Sequence, residues 1–208
     1  MTTLCWVTSE RPELLVLCTG NTCRSPMAQA LLARSLTALG CEVVIRSAGM
    51  LGEGEPARPE AVSVMAGYGI DISAHRSRKV TAEVLDRADL TLAMAREHVR
   101  HAVVTAPAAW PRTFTLAELV RRGLAVGPRG PGESLSGWLA RAQAGRQRAA
   151  LLGNSATDDV ADPAGGPLPG YEHAAAVLSQ LIDRLVELCW EPDRSEPARR
   201  TDGLTRYR

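Results

Sequence analysis

One stretch constrains this chain more than any other: Cys18-Thr19-Gly20-Asn21-Thr22-Cys23-Arg24-Ser25-Pro26. It follows the apolar run Leu14-Leu15-Val16-Leu17 and leads into an Ala/Leu-rich segment over 27–39. A buried strand, a tight turn and a helix in that order make an anion site, because the turn aims backbone N–H groups inward and the helix dipole adds positive potential. Gly20 allows a backbone conformation that a side chain resists, and Asn21 tolerates the left-handed region. Arg24 offers a planar fork for two oxygens of an oxyanion. The same positive surroundings favour a thiolate at Cys18, and Ser25 can donate a hydrogen bond to it. A cysteine held only for packing needs none of these neighbours, so the stretch reads as a site for phosphoryl chemistry.

Apolar and turn residues lay out the remaining elements. The run 14–17 reads as a central parallel strand, and Pro26 suits the first turn of the helix that Gly40 stops. A second strand over 42–46 ends in Ser47-Ala48-Gly49. A loop over 50–58, a helix from 59 to 65, a connector over 70–78 and a short helix over 81–85 capped by Thr81 follow. A third strand over 88–94 precedes a helix over 95–104. A brief fourth strand over 112–114 leads to a helix over 116–122 capped by Thr115. Residues 123–132 read as a flexible Gly/Pro loop, and residues 134–152 as a helix with Arg141, Arg146 and Arg148 on its polar side. A long loop over 153–169 carries Asp158, Asp159 and Asp162. Residues 171–188 are the clearest amphipathic helix. Strands alternating with helices predict a three-layer αβα fold, Rossmann-like, on a central four-stranded parallel sheet. Ligands of such sheets bind beyond the carboxyl ends of the strands, where Cys18 and Ser47 both fall.

The 208 residues suit one domain over 13–190, with an N-terminal extension over 1–12 and a polar tail over 191–208. The net charge of +1 gives no electrostatic case for nucleic acid or an anionic membrane. No apolar run approaches the ~20 residues of a membrane span, and the N-terminus lacks a signal pattern. Five cysteines without framework spacing point to free thiols in a reducing, cytoplasmic compartment. Cys18 and Cys23 alone make no zinc site, so no metal and no cofactor is expected. His98 and His101 read as surface residues. A monomer or weak homodimer is expected.

Cys-x5-Arg-Ser-Pro with Gly-Asn inside it resembles the low-molecular-weight protein tyrosine phosphatase family. The likeness continues in order through Ser47-Ala48-Gly49, Asp71-Ile72-Ser73-Ala74-His75, Ala88-Asp89-Leu90-Thr91-Leu92-Ala93-Met94, Arg112-Thr113-Phe114-Thr115-Leu116 and Asp159-Val160-Ala161-Asp162-Pro163. It implies that Cys18 attacks phosphorus and carries a cysteinyl-phosphate. The amides of Thr19, Gly20, Asn21, Thr22, Cys23, Arg24 and Ser25, with the Arg24 side chain, would hold the oxygens. Asp162 would protonate the leaving group and then activate water, with Asp158 and Asp159 as solvated loop carboxylates. Asn21, Ser47 and His75 match a hydrogen-bonded trio that supports the loop. Cys23 is either a small packing residue or, by resemblance, a thiol that traps oxidised Cys18 as a disulfide.

Departures from the family pattern bear on the substrate. Tyrosine-directed members usually carry aromatic residues after Ser-Ala-Gly and after Asp-Pro. Here the two loops read Met50-Leu51-Gly52-Glu53-Gly54 and Ala164-Gly165-Gly166. Thr22 and the Asp-Pro-x-Gly-Gly run resemble the bacterial protein-arginine phosphatases of the family, in which that Thr helps choose phosphoarginine. The expected partner is therefore a phosphorylated protein, carrying phosphotyrosine or phosphoarginine, or a small aryl phosphate. Thioredoxin-coupled arsenate reductases share the loop but need a further cysteine pair, and residues 79–110 contain no Cys. A phosphate-binding protein with a dead loop would have no use for Cys18, Arg24 and Asp162 together.

Overall fold

The run Leu14–Leu17 is apolar throughout because the strand containing it is covered on both sides, as parallel strands are. The computed structural model describes residues 11–190. The expected extension over 1–12, apart from Arg11 and Pro12, and the expected tail over 191–208 lie outside the described residues. Strand β1 (Glu13–Cys18) sits between β2 (Val44–Gly49) and β3 (Leu90–Ala93), with β4 (Thr113–Thr115) beyond β3, in the all-parallel order β2-β1-β3-β4. Leu14, Val16 and Cys18 face a core shared with Met27, Leu31, Phe114 and Leu178. Leu15 and Leu17 face a smaller one with Ala48, Leu85, Ala102 and Ala109. Burying one such leucine contributes about 1.5–3 kcal/mol, so the run anchors both layers.

The larger core is closed by α1 (Arg24–Ala38), α2 (Pro59–Gly67), α5 (Leu116–Val126), α6 (Leu135–Gln143) and α7 (Leu168–Cys189). The smaller one is closed by α3 (Ala82–Arg87) and α4 (Arg96–Thr105). The expected αβα sheet fold is the observed one. Gly40 ends the first helix at φ +70°. Thr81 and Thr115 cap α3 and α5 by accepting from the amides of Val84 at 3.3 Å and Glu118 at 3.0 Å. Among the described residues no helix is long and apolar enough to cross a membrane.

In the second half, two expectations are corrected. Residues 123–132 are not loop throughout, and two of them, Gly123 and Arg129, are buried. Helix α5 runs through Gly123 to Val126, and a Cβ at Gly123 would lie 2.8 Å from the Trp138 ring, so this glycine serves close helix packing. Arg129 is buried, and its amide donates to the Leu188 carbonyl at 2.8 Å. The helix expected over 134–152 stops at Gln143; Gly145 turns the chain at φ +74° and a 3-10 turn follows at Arg148–Leu151. The break turns Arg146 inward. Its guanidinium carbon lies 3.9 Å from the ring centres of both Trp110 and Phe114, and it pairs with Glu118 through bonds of 2.7 and 2.9 Å. This buried cation is satisfied by two carboxylate oxygens and two aromatic faces. Cys18, Cys23 and Cys189 are free thiols, whereas Cys41 is disulfide-bonded, against the expectation of free thiols throughout.

Candidate active site

β1 is where the strand order reverses, with β2 on one side and β3 on the other, so its carboxyl end opens a crevice. Cys18 closes the strand there. Asn21 is in the left-handed region at φ +53°, alone among the described non-glycine residues, and this turns the loop so that its amide points back at Cys18 Sγ, 3.3 Å away. Asn21 Oδ1 accepts from the Arg78 amide at 2.9 Å, and Nδ2 donates to Ser25 Oγ at 2.9 Å. Ser25 Oγ therefore accepts from Asn21 and keeps its own proton for Cys18 Sγ, 2.9 Å away. His75 Nε2 donates to the Asn21 carbonyl at 2.7 Å. Burial, ahead of the neighbouring Arg78 and Arg76, lowers its pKa below the usual histidine value.

Ser47 does not join this group. Its hydroxyl donates to Gln29 Oε1 at 2.6 Å, and Gln29 in turn holds the Ile45 carbonyl, so Ser47 ties α1 to β2. The neighbouring Gly49 matters more to the loop. A Cβ on it would lie 2.8 Å from both the Asn21 amide nitrogen and the Thr19 carbonyl oxygen, and backbone cannot yield as a side-chain tip can. Gly49→Ala should therefore displace the loop and lower kcat/KM for an aryl phosphate by between about tenfold and a hundredfold, the scale of an ångström-level misplacement. Wild-type kinetics in that variant would show that the contact does not shape the loop.

Arg24 opens α1 and is buried. Its Nη1 donates to the Val160 carbonyl at 3.1 Å, and its Nη2 donates to Thr19 Oγ1 at 3.3 Å and to Asp162 Oδ2. Asp162, with a side chain 43% exposed, also accepts from the Ala164 amide at 3.1 Å. The loop carrying it is anchored, and here the reading of Asp158 and Asp159 as solvated carboxylates is corrected. Asp158 is buried and paired with Arg96 at 2.7 Å and Arg121 at 3.0 Å. Burial opposes its charge, but the hydrogen bonds from Arg96 and Arg121 outweigh that and hold the carboxyl below the usual range. Asp159 accepts from the Arg96 amide at the start of α4 and from the Ser155 amide, each at 2.8 Å. Both carboxylates fix the loop and leave Asp162 at its open end.

Cys23 is buried behind the loop. Desolvation, then the charges of Asp162 and Cys18, push its thiol up to about 12, so it stays protonated at neutral pH. The Thr22 carbonyl accepts from the Arg58 amide at 2.8 Å, and the Thr22 hydroxyl lies beside Gly20. On the β2 side the loop meets Leu51, whose amide donates to the Thr19 carbonyl at 2.9 Å and whose side chain is exposed. His98, expected at the surface, is fully buried with Nε2 2.9 Å from Thr19 Oγ1. The available signal was its place in the first turn of the helix leaving β3, at the carboxyl edge of the sheet. Among the described residues no group of three or more His, Cys, Asp or Glu is placed to hold a metal ion.

The family model for low molecular weight phosphotyrosine protein phosphatase matches residues 13–124. A probable low molecular weight protein-tyrosine-phosphatase, EpsP, of Ralstonia solanacearum is 45% identical over 106 residues, which are 51% of this chain and 71% of that protein. A protein-arginine-phosphatase of Geobacillus stearothermophilus is 38% identical over 177 residues, 84% of this chain and 94% of that one. The crystal structure of a low molecular weight protein tyrosine phosphatase from T. tengcongensis superposes with a TM-score of 0.65 at 38% identity, covering 85% of this chain and 98% of the other. With the cysteine loop at the end of β1 and the Asp-Pro loop above it, these likenesses establish that the chain belongs to the low-molecular-weight protein tyrosine phosphatase family of hydrolases.

Proposed function

We propose that the chain dephosphorylates protein side chains through a cysteinyl-phosphate on Cys18. The observation that carries this is that one loop holds the Cys18 sulfur between the Asn21 amide and the Ser25 hydroxyl and ends in Arg24, whose guanidinium bonds the Asp162 carboxyl from a distant segment. The Cys18 thiolate attacks phosphorus while the loop amides and Arg24 take the oxygens, which stabilises charge where it develops. Asp162, released from Arg24 by the incoming phosphoryl group and carrying a proton, gives that proton to the leaving oxygen as its bond to phosphorus breaks. Asp162, now a carboxylate, takes a proton from water as the water attacks phosphorus, the S–P bond breaks, and inorganic phosphate leaves with the thiolate restored. A nucleophilic thiol that works only when reduced suits the cytoplasm.

Two substrate readings follow, and the first is the phosphotyrosine or aryl phosphate type of the family. A specific observation favours a second, phosphoarginine. Thr22 sits in the loop with its hydroxyl beside Gly20, and the loops Met50-Leu51-Gly52-Glu53-Gly54 and Ala164-Gly165-Gly166 lack the rings that the family resemblance leads one to expect for a tyrosine-directed member. The relative with the longer alignment is moreover named a protein-arginine-phosphatase. Turnover of phosphotyrosine and phosphoarginine peptides, each repeated with Thr22→Ile, separates the two. Under the second reading Thr22→Ile lowers phosphoarginine turnover by about tenfold or more and spares phosphotyrosine, the scale of a changed pocket contact. No cleavage of phosphoarginine ends that reading, and phosphate binding without turnover of either peptide ends the enzyme reading.

A further inference from the structure

We infer that His98 is a positioning residue for Arg24, acting through the Thr19 hydroxyl. The inference rests on the reading of Arg24 as the group that holds the oxyanion. A guanidinium can only donate, so Thr19 Oγ1 accepts from Arg24 Nη2 at 3.3 Å. The hydroxyl has one proton left to place, and His98 Nε2 stands 2.9 Å away. If Nε2 is an acceptor, the proton goes to it and the Thr19 lone pairs turn toward Arg24. If Nε2 carried a proton, both neighbours would donate into Thr19 and the hydroxyl proton would lose this partner. Burial, followed by the nearby charges of Arg24, His101 and Arg100, pushes the His98 pKa down to about 3, so the ring is neutral. The Glu97 carboxylate is also near Nε2, at 3.4 Å, but it is half-exposed to water and farther than Thr19.

The remaining nitrogen of His98 supports a role beyond packing. Nδ1 is buried, and with Nε2 as acceptor it carries the ring's one proton, with the Ala95 backbone as the hydrogen-bonding group beside the ring. An apolar side chain would fill the same place without two buried nitrogens to satisfy, and buried polar groups call for an explanation of this kind. The benefit lies at Arg24. Its guanidinium is held at one arm by the Val160 carbonyl and at the other by Thr19 and Asp162. When Asp162 turns to a leaving group, Val160 and Thr19 are what remain to keep the fork facing the loop.

The test uses the full chain, an aryl phosphate, and inorganic phosphate as a competitive ligand. Thr19→Val and His98→Leu should each lower kcat/KM by between about tenfold and a hundredfold, as for a misplaced reacting group. Each should weaken phosphate by a similar factor, with no loss of Tm in His98→Leu. Thr19→Ser should recover most of what Thr19→Val loses, and Glu97→Gln should match wild type. The double variant Thr19→Val/His98→Leu should be no worse than the poorer single, because the two act as one unit. Wild-type kcat/KM in His98→Leu, or losses that multiply in the double variant, would overturn the inference. If His98→Leu does not fold, the contrast between Thr19→Val and Thr19→Ser decides. A wild-type chain without turnover would sink the hydrolase mechanism instead, and the phosphate affinities would still report on Arg24.

Discussion

Cys18→Ser is expected to reduce turnover of an aryl phosphate by ~10⁴-fold or more, the scale of removing a nucleophile, while phosphate binds as tightly as before or more tightly. The loop is shaped by contacts that do not depend on sulfur. Asn21 is pinned by Arg78, Ser25 and His75 through its side chain and carbonyl, and Arg24 is anchored on Val160 and Thr19. A serine oxygen can still take the Ser25 proton, so the cradle survives. What disappears is the reacting thiolate, and the nearby groups that could activate a hydroxyl are engaged: His75 with the Asn21 carbonyl, His98 with Thr19 and Asp162 with Arg24. Initial rates and phosphate titration by calorimetry check both halves. A rate within tenfold of wild type would rule out a cysteinyl-phosphate, whereas loss of both rate and binding would indicate a collapsed loop.

The first third of the chain was legible because its signals are local. A four-residue apolar run, a turn with Gly20 and Asn21, and Pro26 in the first turn of α1 each express backbone preferences that need no distant partner. The two threonine caps were readable for the same reason. What escaped depends on contacts across the fold. Gly123 was read as looseness, but its missing side chain makes room for Trp138 and Leu188. Arg146 and Asp158 carry charge and so read as solvent-facing, yet each is buried against partners from other elements: Glu118 from α5, and Arg96 and Arg121 from α4 and α5. His98 was a lone histidine until the fold set it beside Thr19. Ser47 fell at the expected strand end, but its hydroxyl goes to Gln29, a partner on α1 that no spacing reveals.

Asp162→Asn is expected to lower kcat in proportion to the need for an acid. The loss should be ~10³-fold for an alkyl or unsubstituted phenyl phosphate and about tenfold for a nitrophenyl phosphate, whose oxyanion leaves without help, within the range of general acid catalysis. Asparagine keeps the Oδ1 acceptor that binds the Ala164 amide, so the turn at Pro163 is retained. The Asp158 and Asp159 anchors are untouched. The same change should tighten phosphate a few-fold. In the free site the Asp162 carboxylate occupies Arg24 Nη2, so an incoming oxyanion must displace one negative group and sit beside it; a neutral amide competes less and repels nothing. Slower chemistry with better oxyanion binding is a combination that misfolding does not produce. Equal losses across leaving groups would remove Asp162 as the acid, and weakened phosphate binding would mean that its pairing with Arg24 holds the site together rather than guarding it.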